Sequence, residues 1–351
     1  MSLGVRVLGR AAAALDQAVV RAIQARNRRA ESSASSLSHD ERMVRLATIR
    51  EAYGTPHLFE RDDAYFEPPP SVTIEQRHVR SFAHASDVFD ASWPSTSVPF
   101  HDDVRDAYLG HVPNRTAHAR MYLGKEPRPA VVLIHGYLAG SWAIEERAWP
   151  IEWMRRLGLD VALMVLPFHA LRGAPGRPPP FPGADPRFTN EGFRQAIADL
   201  RVLVRHLRER GAPSVGVMGM SLGGYTSSLF GTLEPDLSFV VPLIPLASIA
   251  DFARDQGRLG RGDRAELQRT ALEAANWVVS PFARRPKVGP ERVLVVGAEY
   301  DRITPIGHAE RIAAHFDAPL LRVGGGHLMQ LWRGRAFRAV KELWRSVSVI
   351  P

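Results

Sequence analysis

The most informative segment of the sequence reads VGVMGMSLGG over residues 215–224. Its first residues are apolar and suit a buried strand, and a helical pattern follows the serine as far as Leu229. Gly219 to Gly223 fits the pattern G-x-S-x-G, in which a strand turns sharply into a helix and holds a serine hydroxyl above the sheet. The glycines let the chains pass closely, and the helix N-terminus offers free N–H groups to developing negative charge. The segment therefore predicts that Ser221 is a nucleophile, with a bystander serine in a glycine-rich turn as the alternative.

The chain around this segment alternates short apolar runs with longer helical patterns from residue 130 onward. Strand-like runs lie at residues 130–134, 161–166, 215–218, 239–244, 292–296 and 319–323, and helical patterns lie at 142–157, 190–210 and 334–344. Such alternation predicts an α/β protein with a mostly parallel sheet and helices on both faces. Ligands of these sheets bind at the carboxyl ends of the strands. We therefore expect the reactive residues in the loops that follow strands.

The first 66 residues predict an N-terminal helical extension and linker ahead of the main domain, residues 67–351. Helical spacing covers 3–29 and 40–52, and a serine-rich linker at 32–36 separates the two helices. The first helix is basic and rich in alanine. Three interpretations of it stay open: a helix packed on the body, a helix lying on an anionic membrane surface, and a targeting or disordered extension.

The main domain carries two further features outside the strand–helix alternation. Antiparallel lead-in strands are expected around 72–79 and 117–123. A proline- and glycine-rich loop at 173–186 is long enough for a functional lip. A largely helical insertion at about 248–286 separates two strands.

A serine nucleophile needs a histidine base, and a carboxylate must hold that histidine in the right tautomer. His327 follows the last strand and three glycines, a position that core packing does not explain. Asp301 lies just past the preceding strand, so the order Ser221, Asp301, His327 matches the order Ser…Asp…His. Glu299 and Asp251 are the alternative acids.

Further candidates follow the first two strands of this series. In His135-Gly136-Tyr137, the backbone N–H of Tyr137 is placed to form an oxyanion hole with that of Leu222. For substrate contacts we consider His169, Arg172 and Trp142. The guanidinium of Arg172 suits a carboxylate or phosphate group, and the indole of Trp142 suits an acyl chain.

These motifs together resemble the α/β-hydrolase superfamily over about residues 113–351. The matching parts are His135-Gly136-Tyr137, Gly219 to Gly223, Asp301 and His327, in that order. The resemblance implies an eight-stranded, mostly parallel sheet with a cap inserted at 248–286. The stretch LPFHALR at 166–172, with the long N-terminal region, is similar to bacterial relatives of the abhydrolase domain-containing protein 18 group.

The predicted constellation leaves acyl transfer through a serine ester as the chemistry. We expect a serine hydrolase that cleaves carboxylic esters, carboxylesterase- or lipase-like, through an acyl-enzyme on Ser221. An acyltransferase or thioesterase on the same triad is the alternative, followed by a catalytically silent binding module. We expect no metal or organic cofactor, because no metal-ligand spacing is present.

The composition limits the classes of nucleophile and of binding partner. The 351 residues include no cysteine, which excludes a thiolate nucleophile and a disulfide framework. The net charge of +8 comes mainly from scattered arginines without interleaved aromatic residues, so nucleic acid is not expected. The expected partner is a small-molecule or lipid-like ester, with peripheral membrane contact through the N-terminal helix as a further possibility. We expect a cytoplasmic location, because Arg6 and Arg10 interrupt the apolar region that a signal peptide would need. The sequence leaves the oligomeric state open.

Overall fold

The computed structural model describes residues 3–31, 37–61, 63–82, 86–331 and 333–351. These residues form nine strands: β1 (Glu75–Phe82), β2 (Ser86–Pro94), β3 (Thr116–Gly124), β4 (Ala130–Ile134), β5 (Asp160–Met164), β6 (Val215–Met220), β7 (Val240–Leu243), β8 (Val295–Ala298) and β9 (Leu320–Val323). They make one sheet in the order β1-β2-β3-β5-β4-β6-β7-β8-β9. From β5 to β9 every neighbouring pair is parallel, whereas β1, β2 and β3 join the sheet through antiparallel pairs.

The mostly parallel sheet is confirmed, but it has nine strands where eight were predicted. The additional strand is β2, whose Asp87 and Asp90 disfavour a strand on local propensity. Its neighbours stabilise it: Asp90 pairs at 2.7 Å with Arg77 of β1 and at 2.7 Å with Arg120 of β3. Because both partners are remote in sequence, the local pattern does not reveal this strand.

Twelve α-helices surround the sheet in the described residues. They are α1 (Leu3–Glu31), α2 (His39–Tyr53), α3 (His57–Glu60), α4 (Asp102–Leu109), α5 (Trp142–Ala148), α6 (Ile151–Arg156), α7 (Pro186–Glu209), α8 (Leu222–Gly231), α9 (Ile249–Asp255), α10 (Asp263–Ala275), α11 (Ile306–Phe316) and α12 (Arg333–Ser346). The prediction of a single helix at 142–157 is wrong, because this segment forms two helices, α5 and α6. Pro150 lacks an N–H and cannot continue a helix, so α6 begins after it.

Two apolar cores show that helices cover both faces of the sheet. Phe193 of α7, Tyr225 of α8 and Ile312 of α11 belong to one core. Met154 of α6 and Trp344 of α12 belong to the other. Strands β4 to β8 between these layers are buried on both sides, which explains their continuous apolar sequences.

The N-terminal helices and the insertion between β7 and β8 meet above the carboxyl ends of the strands. The insertion contains α9 and α10, and we call the segment 248–286 the cap. Arg42 of α2 donates to the backbone oxygen of Arg258 in the cap at 2.8 Å. Gln24 of α1 donates to the backbone oxygen of Asp255 at 2.5 Å. These contacts place the N-terminal extension against the edge of the sheet where ligands bind in this class of fold.

Candidate active site

Ser221 occupies the sharp turn between β6 and α8. Its φ of 57° and ψ of −111° lie outside the backbone regions that residues other than glycine favour. Hydrogen bonds hold this conformation: the N–H of Ser221 donates to Leu243 O at 3.0 Å, and its carbonyl accepts from Tyr225 N at 3.0 Å and Leu246 N at 3.1 Å. Strain of this kind persists where the surroundings enforce it, which is common at functional sites.

Two glycines of the motif are required by close backbone packing. A Cβ atom at Gly219 would fall on the carbonyl of Gly223, and a Cβ at Gly223 would fall on the carbonyl of Ile134 at the end of β4. Backbone cannot yield as a flexible side chain can. The glycines therefore let β4, β6 and α8 approach closely enough to hold Ser221 in place.

His327 and Asp301 form a buried hydrogen-bonded pair after β9 and β8. The Nδ1–H of His327 donates to Asp301 Oδ2 at 2.7 Å. Asp301 Oδ1 accepts from the backbone N–H groups of Ile303 and Thr304, both at 2.8 Å. The Asp301 side chain is fully buried, whereas 12% of the His327 side chain is exposed. These contacts fix the carboxylate and orient the imidazole.

Asp301 is the one of the three candidate acids that contacts His327. Asp251 instead pairs with Arg311 at 2.6 Å and Arg269 at 3.3 Å on the cap side. Glu299 makes no side-chain hydrogen bond within the described part of the chain.

The loop of His327 also lies against the turn that carries Ser221. Gln330 donates from Nε2 to Met220 Sδ at 3.1 Å and to the carbonyl of His327 at 3.2 Å. Thr304 Oγ1 lies 3.1 Å from His327 Nδ1 and borders the same cavity as Ser221. The nucleophile candidate, the base candidate and the acid candidate therefore come together at one edge of the sheet.

Opposing effects set the protonation of His327. Burial lowers the pKa of this imidazole, while the charge and hydrogen bond of Asp301 and the charge of Asp16 raise it. The net pKa of His327 lies above its ordinary value near 6.5. The site thus favours the imidazolium that forms when a histidine accepts a proton.

Two backbone N–H groups converge on the same place. The N–H groups of Tyr137 and Leu222 have no acceptor among the described residues. Both residues border one cavity with Ser221, and Leu222 is the first residue of α8. A Cβ at Gly136 would lie only 3.5 Å from the Cβ of Ser221, so the loop after β4 passes directly beside the serine. Free donors here suit an oxygen that gains negative charge.

The cavity over Ser221 is small and mostly apolar. Its lining consists of Tyr137, Pro182, Ser221, Leu222, Leu246, Phe252, Arg258 and Thr304. The volume open to water is about 20 Å³, room for roughly one water molecule. Arg258 is the one residue with a formal charge in this lining.

His135 supports the loop after β4. It is buried, and burial lowers its pKa to about 4. Its Nε2 accepts from Leu166 N at 2.9 Å, so the proton resides on Nδ1 and is donated to Gly136 O at 2.7 Å. Both ring nitrogens are therefore occupied in holding backbone.

None of the three residues predicted to contact substrate borders the cavity over Ser221. Arg172 is fully buried and pairs with Asp199 at 2.8 Å. His169 is buried and donates to Pro167 O at 2.8 Å. Trp142 packs on the core beside α6, with the guanidinium of Arg120 5.1 Å from its ring centre. The sequence places these side chains near strand ends, but it does not show which way they turn.

Sequence reasoning missed Asp16, Arg258 and Thr304. Asp16 is fully buried in α1 and accepts from backbone N–H groups beside His327. The available signal for Asp16 was its place as the one acid before Glu31 in a basic, alanine-rich helix. The other two had no signal, because arginines and threonines occur throughout the chain.

Comparisons with known proteins give related sequences and related structures. No protein-family model matches the chain. A Mycobacterium tuberculosis protein (strain ATCC 25618 / H37Rv), named "Uncharacterized protein Rv2627c", is 29% identical over 296 residues, which cover 80% of this chain and 70% of that protein.

The structural relatives include two esterases and a peptidase. Acetyl xylan esterase 1 from Thermoanaerobacterium sp. JW/SL YS485 aligns with a TM-score of 0.56 at 18% identity, covering 85% of this chain and 98% of that one. Acetyl xylan esterase from Paenibacillus sp. R4 aligns with a TM-score of 0.57 at 13% identity, covering 84% and 98%. Acylaminoacyl peptidase from Pyrococcus horikoshii aligns with a TM-score of 0.50 at 14% identity, covering 78% and 41%.

The chain therefore has the α/β-hydrolase fold, as the resemblance implied. Among the described residues, no helix combines the length and the hydropathy that a membrane-spanning segment needs.

Proposed function

We propose that the protein is a serine hydrolase that cleaves carboxylic esters through an acyl-enzyme on Ser221. The observation that carries the proposal is the strained turn at Ser221, beside the His327–Asp301 pair and two unoccupied backbone N–H groups. A nucleophile, a base, an orienting acid and an oxyanion hole are the four parts that acyl transfer requires. The fold it shares with esterases and a peptidase supports the same class of reaction.

The reaction proceeds in two steps, acylation of Ser221 and hydrolysis of the acyl-enzyme. Ser221 Oγ attacks the carbonyl carbon while His327 Nε2 takes its proton, and Asp301 stabilises the imidazolium. The N–H groups of Tyr137 and Leu222 hold the oxyanion of the tetrahedral intermediate. The bond from carbon to the leaving oxygen then breaks, and the alcohol departs with the proton from His327. Water repeats the sequence on the acyl-enzyme, releasing the acid and restoring the hydroxyl of Ser221.

The small apolar cavity supports a short acyl group. A volume of about 20 Å³ beside Ser221 leaves no room for a long chain in this conformation. Two of the structural relatives are acetyl xylan esterases, whose names specify an acetyl group. An acyltransferase or thioesterase would use the same residues, with an alcohol as the second nucleophile or a thiol as the leaving group.

The test measures hydrolysis of p-nitrophenyl esters from acetyl to palmitoyl, with Ser221→Ala as the inactive control. We expect turnover that is highest for the shortest chains and lost in the variant. A fluorophosphonate that labels Ser221 while no ester is cleaved would show a working nucleophile with another acyl donor. No turnover and no labelling would favour a silent binding module.

A further inference from the structure

The cavity beside Ser221 carries one cationic side chain, and this side chain has no partner among the residues that the structure describes. Arg258 is half-buried in the loop between α9 and α10 and borders this cavity. Its guanidinium makes no hydrogen bond, ion pair or aromatic contact with the described residues. A guanidinium presents five N–H donors and keeps its charge at all physiological pH values. An acceptor for these donors must come from outside the described chain.

The backbone of Arg258 is held in place by two hydrogen bonds. Its N–H donates to Ala253 O at 2.9 Å, and its carbonyl accepts from Arg42 Nη1 at 2.8 Å. Helices α9 and α2 thus fix the position of this residue on two sides. A cation that is held at a fixed position beside the candidate nucleophile is suited to binding an anionic group.

The acids of the cap do not neutralise Arg258. Asp251 pairs with Arg269 and Arg311, Asp255 pairs with Arg254 at 3.0 Å, and Glu266 pairs with Arg269 at 2.7 Å. Within the described part of the chain, Arg258 is the one charged residue that lines the cavity. The rest of the lining is mostly apolar, and a charge pair in such surroundings is stronger than in water.

We propose that the ester substrate carries a carboxylate that Arg258 binds. This inference rests on the proposed hydrolase function and specifies its substrate class. A carboxylate accepts two parallel hydrogen bonds from a guanidinium, which fixes orientation as well as affinity. The pair would hold the ester with its carbonyl carbon beside Ser221 Oγ.

Matched esters test the proposal. One pair is 3-acetoxybenzoate and its methyl ester, with the charge on the alcohol side; the other is monophenyl adipate and its methyl ester, with the charge on the acyl side. Each kcat/KM is divided by the rate constant for hydroxide-catalysed hydrolysis of the same ester, which corrects for intrinsic reactivity. We expect this ratio to be at least tenfold higher for the anionic member of one pair than for its neutral partner. Arg258→Gln should remove this preference by raising KM for the anionic ester.

Controls separate this proposal from the hydrolase function itself. Arg261→Gln removes the same charge from the exposed side of the same loop and should leave all four esters unchanged. Calorimetry on Ser221→Ala with the uncleaved amide 3-acetamidobenzoate and its methyl ester measures binding without turnover. Anion-selective binding that Arg258→Gln abolishes would support the site even if no ester is cleaved. Equal treatment of anionic and neutral members, in turnover and in binding, would overturn the proposal.

A second inference rests on a different residue, Asp16 of α1. Its carboxylate is fully buried and has three backbone N–H donors. Oδ2 accepts from His327 N at 2.8 Å and from Arg302 N at 3.2 Å, and Oδ1 accepts from Leu328 N at 3.1 Å. One carboxylate therefore joins the loop of the base to the loop of the acid.

The atoms around Asp16 are closely packed. A Cβ at Gly326 would lie 2.6 Å from Asp16 Oδ2, so the loop before His327 approaches α1 as closely as only glycine permits. A Cβ at Gly9 would overlap the ring of Tyr300, beside Asp301 in sequence. Helix α1 thus packs against both loops of the candidate site.

We infer that Asp16 is a positioning residue for His327, again on the basis of the proposed hydrolase function. The acidic groups that face His327 are Asp301 from the loop after β8 and Asp16 from α1. Asp301 contacts the imidazole, whereas Asp16 binds the backbone of the same residue. Asp16 therefore fixes where the ring stands and adds negative charge near it.

Variants of Asp16 separate position from charge. Asp16→Asn removes the charge and one acceptor, so kcat should fall at least tenfold and the pKa of His327, followed by NMR of its imidazole, should fall. Asp16→Glu restores the charge but displaces it, so the pKa should stay raised while kcat falls. Gln17→Ala, on the exposed side of α1, is the control and should change neither.

The readouts keep this inference apart from the proposed reaction. The imidazole titration needs no substrate, so it tests Asp16 even if no ester is cleaved. Circular dichroism and thermal unfolding show whether each variant is folded. A folded Asp16→Asn variant with the wild-type pKa of His327 and the wild-type rate would falsify the positioning role.

Discussion

At the scale of single residues, the candidate site is held mainly by backbone donors. Asp301 and Asp16 both accept backbone N–H groups, and the N–H groups of Tyr137 and Leu222 remain free for an oxyanion. Oriented N–H groups in a water-poor site stabilise charge without having to reorganise during the reaction. The chemistry therefore depends on loop conformation as much as on the identity of Ser221.

The raised pKa of His327 fixes the sign of the pH dependence. The general base must be neutral, so kcat/KM should rise with pH through a pKa above 6.5 and level off beyond it. Asp301→Asn removes the orienting carboxylate and should lower kcat by roughly 10³–10⁴-fold. Glu299→Gln and Asp251→Asn are matched controls with near wild-type rates. A profile that falls over this range, or a fully active Asp301→Asn, would contradict the assignment.

The predictability of the site differs from residue to residue for a physical reason. Ser221, Asp301 and His327 were predictable because each follows a strand, and parallel strands bring their carboxyl ends together. Arg172 also follows a strand, yet its partner Asp199 lies on α7 and draws the side chain into the interior. Side-chain direction depends on such distant partners, which local sequence does not contain.

At the scale of elements, the parallel strands were predictable from the sequence, whereas one of the three antiparallel strands, β2, was not. Continuous apolar runs identified β4 to β8, because these strands are buried on both faces. Strand β2 carries polar residues and depends on ion pairs with β1 and β3. Helix α1 was predictable as a helix, but its role beside His327 rests on one buried carboxylate.

Helix α1 also supports a prediction about membranes. Its outward positions include Val7, Leu8 and Leu15, exposed at 59%, 51% and 43%, together with exposed Arg10 and Arg21. An apolar and basic surface binds anionic bilayers, at about 1 kcal/mol for each arginine near the lipid. We expect co-sedimentation with phosphatidylglycerol vesicles and little with phosphatidylcholine vesicles.

Charge reversal tests whether this helix is the contact. Arg10→Glu/Arg21→Glu should weaken vesicle binding more than tenfold. Arg335→Glu/Arg338→Glu makes the same charge change at exposed positions of α12 and should weaken it far less. Equal losses in the two double variants would point to net charge alone, and no binding by the wild-type chain would end the idea.

At the scale of the whole molecule, the cap, the 173–186 loop and the loops after the strands line a cavity that is too small for a bulky ester. Binding of a bulky ester therefore requires the cap or the 173–186 loop to move away from Ser221. The contact between Arg42 and the carbonyl of Arg258 couples such movement to α2. Arg42→Ala should lower KM for bulky esters more than for p-nitrophenyl acetate, because it loosens one side of the cap. Steady-state kinetics with a graded acyl series would measure this, and a uniform effect on all chain lengths would count against a gating role.

The buried pair of Arg172 and Asp199 distinguishes stability from catalysis. Arg172 also donates to Val165 O and Asn114 O at 3.1 Å, so it joins α7 to the segments beside β5 and β3. Arg172→Met leaves a buried carboxylate without its cation and should cost about 3–5 kcal/mol of unfolding free energy. Arg322→Met breaks an exposed pair with Glu310 and should cost less than about 1 kcal/mol. Denaturant unfolding measures both. If Arg172 serves the fold alone, KM of the folded Arg172→Met variant stays at the wild-type value, and an increase in KM with unchanged stability would return Arg172 to the substrate site.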